Sequence, residues 1–403
     1  MPIYRLENAI QNYAWGSTTA IADLLGQPSP SHTPQAELWM GTHPKGPSMA
    51  IAGQKRIPLS ELIDQQADEI LGRSIASRYG NALPFLFKVL AAVRPLSIQA
   101  HPDKDQAQAG FERENRDGIA LDAPDRNYRD TNHKPEIICA LTPFWGLNGF
   151  RPPAAAADLL MPVCPPVLVD ACNDLKTQPV SFALQRLFEA MMALRGKKRK
   201  AATETVCRKA KRLANRSAVY GWMDKLARVY PNDIGILSPA LLNLIRLEPG
   251  QAMYLPTGQL HGYLDGVGIE LMANSDNVLR GGLTPKHVDV AELLRVVRFH
   301  ETRVDIIEPE SVDACESAFA CPAEEFSLNV IRTTSELKYR SPEGRNVEIL
   351  LCTEGEGRIE ERGGDTGLIV KKGDSFLVPA NIAPYVIRGD LVLYKAAAPG
   401  SPQ

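Results

Sequence analysis

The sequence predicts a mainly β protein of two barrel-like sheets interrupted by one helical insertion. Three observations carry that expectation. Strand-like runs alternate with turn signals up to about residue 150, apolar residues recur at helical period from about 152 to 240, and 320–403 is almost all strand and turn.

The early runs are "AELWMGTHPKGPS" (36–48), "LFKVLAAVRPLSIQAHPD" (86–103) and "PEIICAL" (135–141). A helical segment, "LSELIDQQADEILG" (59–72), interrupts them with Leu and Ile three and four apart. The texture changes at Arg151-Pro152-Pro153. "SFALQRLFEAMMALRG" then repeats apolar positions at helix period, with Gly196 as a helix stop, and the pattern continues through "TETVCRKAKRLANRSAVYGWMDKLARVY". The run Lys197 to Lys200 reads as a solvated helix approach. Strand texture resumes at "NLIRLEPGQAMYLPTGQLHGYLDGVGIELMANSDN". One more helix follows at "VDVAELLRVV", with Thr284 as N-cap and Pro285 at its first position.

An internal repeat refines the fold. "PGQAMYLPTGQLHGY" (249–263) aligns with "KGDSFLVPANIAPYV" (372–386), with Gly250 and Gly373 each six residues before Pro256 and Pro379. Five residues beyond the proline the first copy has His261 and the second Pro384. This pattern resembles the second motif of cupin β-barrels. It implies two cupin-like, jelly-roll-type domains, one with a metal-capable position and one without. The expected division is 1–151 with 241–319 as the first barrel, 152–240 as the helical domain, and 320–403 as the second barrel.

Composition sets outer bounds. At 44% hydrophobic and 23% charged the chain has ample material for a core. A formal net charge of -2 argues against a nucleic-acid binder working by bulk electrostatics. The N-terminus lacks a basic segment followed by an apolar one, and no stretch reaches the ~18 apolar residues of a membrane span. The seven cysteines (139, 164, 172, 207, 315, 321 and 352) form no CxxC pair and are odd in number. They read as reduced thiols of a soluble cytoplasmic protein.

Three places carry candidate chemistry. In "SIQAHPD" Ser97, Gln99 and His101 share a strand face, a pattern that a solvated strand produces equally well. Lys134 and Glu136 also share a face, ahead of the apolar "IICAL". His261 follows Pro256, and Glu270 shares a face with Met272, where a carboxylate needs a cation or metal beside it. Together Gln99, His101, Glu136 and His261 offer two imidazoles, one carboxylate and one neutral oxygen. That set suits one zinc ion with an open position.

Longer motifs identify the family. "YRDTNHKPE" (128–136) and "HGYLDGVGIELMANSDNVLRGGLTPK" (261–286) resemble the two signatures of type I phosphomannose isomerases, and "NYAWGS" (12–17) and "LPFLFKVL" (83–90) are similar to the same family. Gly262 and Gly281 depart from it, alanine being usual at both. The resemblance implies a zinc-dependent interconversion of mannose 6-phosphate and fructose 6-phosphate, with Gln99, His101, Glu136 and His261 as ligands. It further implies Lys134 as proton-transfer base and His133 and Asp276 in ring opening or proton relay. Arg280 would stabilise enediolate charge, Glu270 would hold a neighbouring cation, Lys88 would serve the phosphate, and Ser97 and Trp15 would lie on the substrate side. The expected partner is a small sugar phosphate, bound by a monomer. Two other readings stand beside this one. "HPD" (101–103) followed by His261 fits the H-x-D…H triad of a non-haem iron oxygenase, with Asp103 as ligand. A non-catalytic sugar-phosphate-binding protein would keep the barrels without the chemistry.

Overall fold

A computed structural model describes residues 1–361 and 367–399. Residues 362–366 and 400–403 of the expected second barrel lie outside the described residues. Two antiparallel sheets hold most of the strands, and helices Pro153–Leu160, Val169–Thr177, Ser181–Met192, Gly196–Leu213 and Ala218–Val229 fill the segment between two strands of the first sheet. No helix among the described residues is long and apolar enough to cross a membrane.

The first sheet is organised by the long strand His261–Ala273, which pairs with Phe85–Ala92, Glu136–Ala140 and Phe144–Phe150. Gly266 allows it to change partners midway. Its φ is +124°, and a Cβ there would lie 2.8 Å from both Pro143 O and Phe144 Cα. The strand Phe85–Ala92 is buried along its whole length, so apolar–polar alternation is missing, yet its two faces differ. Phe87, Val89 and Ala91 join Ile137, Cys139, Ile269 and Leu271 in a core shared with Val330, Ile349, Leu351 and Leu377 of the second sheet. Leu86, Lys88 and Leu90 face the other way, into the interior of the first barrel with Ile138, Leu255, Tyr263 and Met272. One face therefore joins the barrels, and the other surrounds the site.

Sheet membership does not follow chain order. The N-terminal strand Tyr4–Glu7 pairs with Ser375–Val378, which carries Met49–Ala52 and Lys55–Pro58 into the second sheet.

The sequence repeat is a structural repeat. Leu255, just before Pro256, stands opposite Glu136, and Val378, just before Pro379, stands opposite Glu348. Across the other edge Glu136 faces Met272 and Glu348 faces Ala397. Two residues back along each long strand, Glu270 opposes Lys88 and Lys395 opposes Asn329. One strand further, Glu37 opposes Leu90 and Glu316 opposes Ile331. Glu136 thus corresponds to Glu348, Glu270 to Lys395, Lys88 to Asn329 and Glu37 to Glu316. The second interior keeps a buried charge network but moves its ammonium onto another strand.

Three helix expectations need correction. Gly196 opens the helix Gly196–Leu213 instead of ending the one before it. The helix Ser181–Met192 closes without a glycine because the Arg195 guanidinium donates to the carbonyls of Met192 and Leu194. Thr284 is not an N-cap. The helix Val290–Val296 is capped by Asp289, whose carboxylate accepts from the Glu292 amide at 3.0 Å. The segment 59–72 is two short helices, Leu59–Gln65 and Ala67–Leu71, broken where Gln66 leaves helical backbone angles.

Candidate metal centre

His101, Glu136 and His261 come from three chain segments to one buried point. Glu136 begins its strand, His261 begins the long one, and His101 follows Ile98–Ala100. His101 Nε2 lies 3.4 Å from Glu136 Oε1, and His261 Nε2 lies 3.3 Å from Glu136 Oε2. All three side chains are at most 1% exposed. The other ring nitrogens are already engaged. His101 Nδ1 donates to Asn277 O at 2.7 Å and His261 Nδ1 to Gln259 O at 3.0 Å. Each tautomer is thereby set, and each Nε2 lone pair points inward. Among the described residues His101 Nε2, His261 Nε2 and Glu136 Oε2 have no hydrogen-bond partner. Leaving three buried acceptors bare is costly, and a divalent cation among them would satisfy all three. Gln99 stands opposite both His261 and Arg280, so its amide shares the face of the centre.

The charges around the centre fit the same conclusion. Lys134 Nζ lies 2.9 Å from Glu136, and Lys88 Nζ lies 3.0 Å from Glu270 and 3.9 Å from Glu37. Glu37 also accepts from Trp39 Nε1 at 2.6 Å. Two ammoniums thus face three carboxylates in one interior. Burial, against the pull of Lys88, raises the Glu270 carboxyl, with Glu136 and Glu37 adding to the rise. Burial and the nearby Lys134 charge push the His101 imidazole down to about 4, so it is neutral and ready to ligate. Burial works against the charged form of Glu136, but Lys134 and His101 outweigh it and hold the carboxyl well below the usual range.

The two long motifs lock together behind the centre. Asn277 Nδ2 donates to Asp130 O and Asn132 O, both at 2.8 Å, while Asn277 Oδ1 accepts the Arg129 amide at 2.7 Å. Ser275 Oγ donates to Asp130 Oδ1 at 2.8 Å. Asn277 also supplies the carbonyl that orients His101, so this loop sets the ligand directly.

Several expected roles change. His133 Nε2 lies 2.6 Å from Glu325 Oε1, in the turn between Glu316–Phe319 and Ser327–Thr333 of the second sheet. Lys88, expected to serve the phosphate, has a buried ammonium held by Glu270 and Glu37. Asp276 lies 3.1 Å from His43 Nε2 and 2.8 Å from Lys45 Nζ. Burial would raise its carboxyl, but His43 and Lys45 bring it below the usual carboxylate range. Asp103 caps the helix Lys104–Arg116 through the Gln106 amide and stands outside the ligand cluster, against the iron-triad reading. Trp15 stacks on Tyr13 with ring centroids 5.7 Å apart and packs against the barrel interior. Ser97 is partly buried ahead of Gln99. An alanine at Gly262 would bring its Cβ within 3.3 Å of Ser97 O, and one at Gly281 within 3.1 Å of Leu260 Cδ2. Both departures from the family motif therefore sit where this chain packs closely.

Sequence reasoning missed a cationic group. Arg280 has no acceptor among the described residues, and burial followed by repulsion from Arg129 lowers its pKa. Lys286 is lowered by burial and then by Arg280, Arg129 and Lys45. Arg129 is fixed by donating to Leu121 O at 2.7 Å and Ala123 O at 3.2 Å. Arg280 and Lys286 thus stand as two cations without a side-chain acceptor among the described residues, each lowered by burial and by the charge of Arg129. The clue in the sequence was Arg280 followed six residues later by Lys286 inside one motif.

Fold and centre together define a two-barrel β protein with, among the described residues, one buried His–Glu–His cluster. The phosphomannose isomerase type I catalytic domain matches residues 3–153. Mannose-6-phosphate isomerase of Escherichia coli is 38% identical over 387 residues, 96% of this chain and 97% of that protein. The protein of that name from Homo sapiens is 32% identical over 410 residues, 94% of each chain. A solved structure of zinc-bound mannose 6-phosphate isomerase superposes with TM-score 0.90 at 36% identity, covering 98% of this chain and 99% of that one. The chain belongs to the type I phosphomannose isomerases, the mannose-6-phosphate isomerase family.

Proposed function

We propose that this chain interconverts mannose 6-phosphate and fructose 6-phosphate, with zinc held by His101, Glu136, His261 and Gln99. The observation that carries the reading is the convergence of three bare, buried acceptors at one point. When bound, the zinc supplies Lewis-acid stabilisation of negative charge on the sugar oxygens. The remaining chemistry belongs to the chain. In this reading Lys134, acting as its neutral amine, takes a proton from C2 and returns it at C1. Asp276, held by His43 and Lys45, assists ring opening in this reading. Arg280 and Lys286 receive the phosphate and fix the distance between it and the reacting carbons. Glu37, Lys88 and Glu270 hold the interior charges in place. The reading also takes the chain as a cytoplasmic monomer of three units, 1–151 with 241–319, 152–240 and 320–403. Seven free cysteines support a reducing compartment.

The test is a coupled assay of mannose 6-phosphate conversion before and after chelation and zinc restoration. Activity should vanish and return. A verified zinc-loaded sample that never converts the sugar would leave the sugar-phosphate-binding reading in its place.

The phosphate assignment has its own test. Because Lys286 titrates below an ordinary lysine, its charge is lost on the alkaline side earlier than 10.5. The KM for mannose 6-phosphate should therefore rise with pH before ordinary lysines titrate. A Lys286→Arg variant keeps the charge and should carry that rise to higher pH. An identical KM profile in both proteins would remove Lys286 from the phosphate site.

A further inference from the structure

Behind Lys286 lies a cavity of 360 Å³ between the helical segment and the 282–290 turn. Met192, Leu194, Ile234, Val288 and Val290 form its apolar floor, and its charged and polar lining is Arg195, Arg199, Asp233, Thr284 and Lys286. The volume is in the range of small-molecule sites. Its charges do not cancel internally. Asp233 is the one carboxylate of the lining, and both its oxygens are engaged by backbone amides, Oδ1 by Gly235 at 2.8 Å and Oδ2 by Thr284 at 3.1 Å. Arg199 and Lys286 have no side-chain acceptor among the described residues, and Arg195 spends one guanidinium nitrogen on carbonyls at the end of its preceding helix. Three cations facing one committed carboxylate leave a positive cavity that a bound anion would neutralise.

The position of the cavity says which anion. Gln99 and Arg280 are opposite each other in register, Lys286 senses Arg280, and Arg195 and Arg199 share the cavity with Lys286. In the reading above, a hexose 6-phosphate ends at Arg280 and Lys286, so it leaves Arg195 and Arg199 without an anionic partner. We propose that this cavity is a second anion site, which takes a further phosphate group. Organic phosphates with two phosphates, such as sugar bisphosphates, span both sites and compete with the substrate through the shared Lys286. The helical segment thereby gives the isomerase a way to sense doubly phosphorylated metabolites, a role absent from its barrels.

The competitive pattern rests on the phosphate assignment, but the binding itself does not, so two measurements separate them. Calorimetry reads the affinity of zinc-loaded protein for fructose 1,6-bisphosphate, and steady-state kinetics reads its inhibition of mannose 6-phosphate turnover. Arg199→Gln is the cleaner variant because that side chain has no partner to lose. Arg195→Gln/Arg199→Gln removes both cations. Losing bidentate arginine–phosphate contacts should weaken bisphosphate binding about tenfold in the double variant, less in the single one. The kcat and KM for mannose 6-phosphate should stay within about twofold, since neither arginine touches that substrate. Unchanged bisphosphate affinity would overturn the proposal. So would a KM for the monophosphate that rises in step with bisphosphate affinity loss, because the arginines would then belong to the ordinary substrate site. If the wild type fails to isomerise the sugar while bisphosphate binding still depends on the arginines, the functional reading fails and the second site stands.

Discussion

A Glu136→Gln variant should lose turnover by at least about a thousandfold, because Lewis-acid stabilisation contributes several kcal/mol and each 1.36 kcal/mol is tenfold in rate. The substitution keeps the shape of the side chain and removes its charge. Glu136 is the one carboxylate of the ligand cluster found among the described residues, and both imidazoles beside it are oriented by their Nδ1 contacts to backbone carbonyls. An amide there leaves a divalent ion with no charge compensation from its own ligands. The Lys134 ammonium, 2.9 Å away, would then face the same ion without the carboxylate between them. Zinc content should fall together with activity, and added zinc should restore neither fully. Lys134→Met gives the contrasting result. It removes a neighbour of the carboxylate and no ligand, so zinc should remain at one per chain while turnover falls by the ~10²–10⁴ typical of a lost proton-transfer group. Metal analysis and rate together distinguish the two roles. Stoichiometric zinc with near-normal turnover in Glu136→Gln would dismiss the centre, and the same result in Lys134→Met would dismiss Lys134 as base.

How much of this was legible in the sequence depends on the distance over which each residue acts. Strand pairs such as Gln99 and His101, or Lys134 and Glu136, declare a shared face through their spacing alone. His261 was found because a local repeat places it after a turn. Long motifs then joined these pieces, which periodicity could not do. The errors have a common origin. His133 and Lys88 are adjacent to site residues in sequence or register, but partners from distant segments claim them. Glu325 is 192 residues from His133, and Glu270 is 182 from Lys88. Local pattern cannot show which of two cations finds a buried carboxylate first. The helix boundaries failed for a related reason. Thr284 and Gly196 are good cap and stop residues, but Asp289 and the Arg195 guanidinium satisfied the helix ends instead. The grouping of Arg129, Arg280 and Lys286 was hidden because lysines and arginines look alike until their neighbours are known.

The second barrel tests the charge argument away from any metal. Lys395→Met should destabilise the protein by on the order of 3–5 kcal/mol, the usual cost of removing one partner from a buried ionic group. The Lys395 ammonium lies 2.5 Å from Glu316, 3.5 Å from Glu348 and 3.3 Å from the Tyr339 hydroxyl, and it is 5% exposed. Burial alone would lower its pKa, but Glu348, Tyr339 and Glu316 raise it above the ordinary 10.5. Its stabilisation is therefore complete below that value and is lost only as pH rises through the higher folded-state pKa, so the cost of the substitution is uniform around neutrality. Adding Glu316→Gln to Lys395→Met should recover part of the loss, since the acceptor left bare is then no longer an anion. Urea unfolding followed in the presence and absence of chelator would read both effects. A loss under about 1 kcal/mol in the single variant would mean that water reaches Glu316 and that the network is not closed. The comparison with the first barrel gives the result its meaning. Glu348 occupies the register position of Glu136, and Arg345 and Lys395 supply cations beside it from within the chain. Where the first barrel turns two bare imidazoles toward its carboxylate, the second has Pro384 in the histidine's place and the Tyr385 hydroxyl donating to Glu348 at 2.8 Å. One sheet geometry has thus accommodated the same buried carboxylate in two ways, with a covalently attached cation in one barrel and an exchangeable ion proposed for the other.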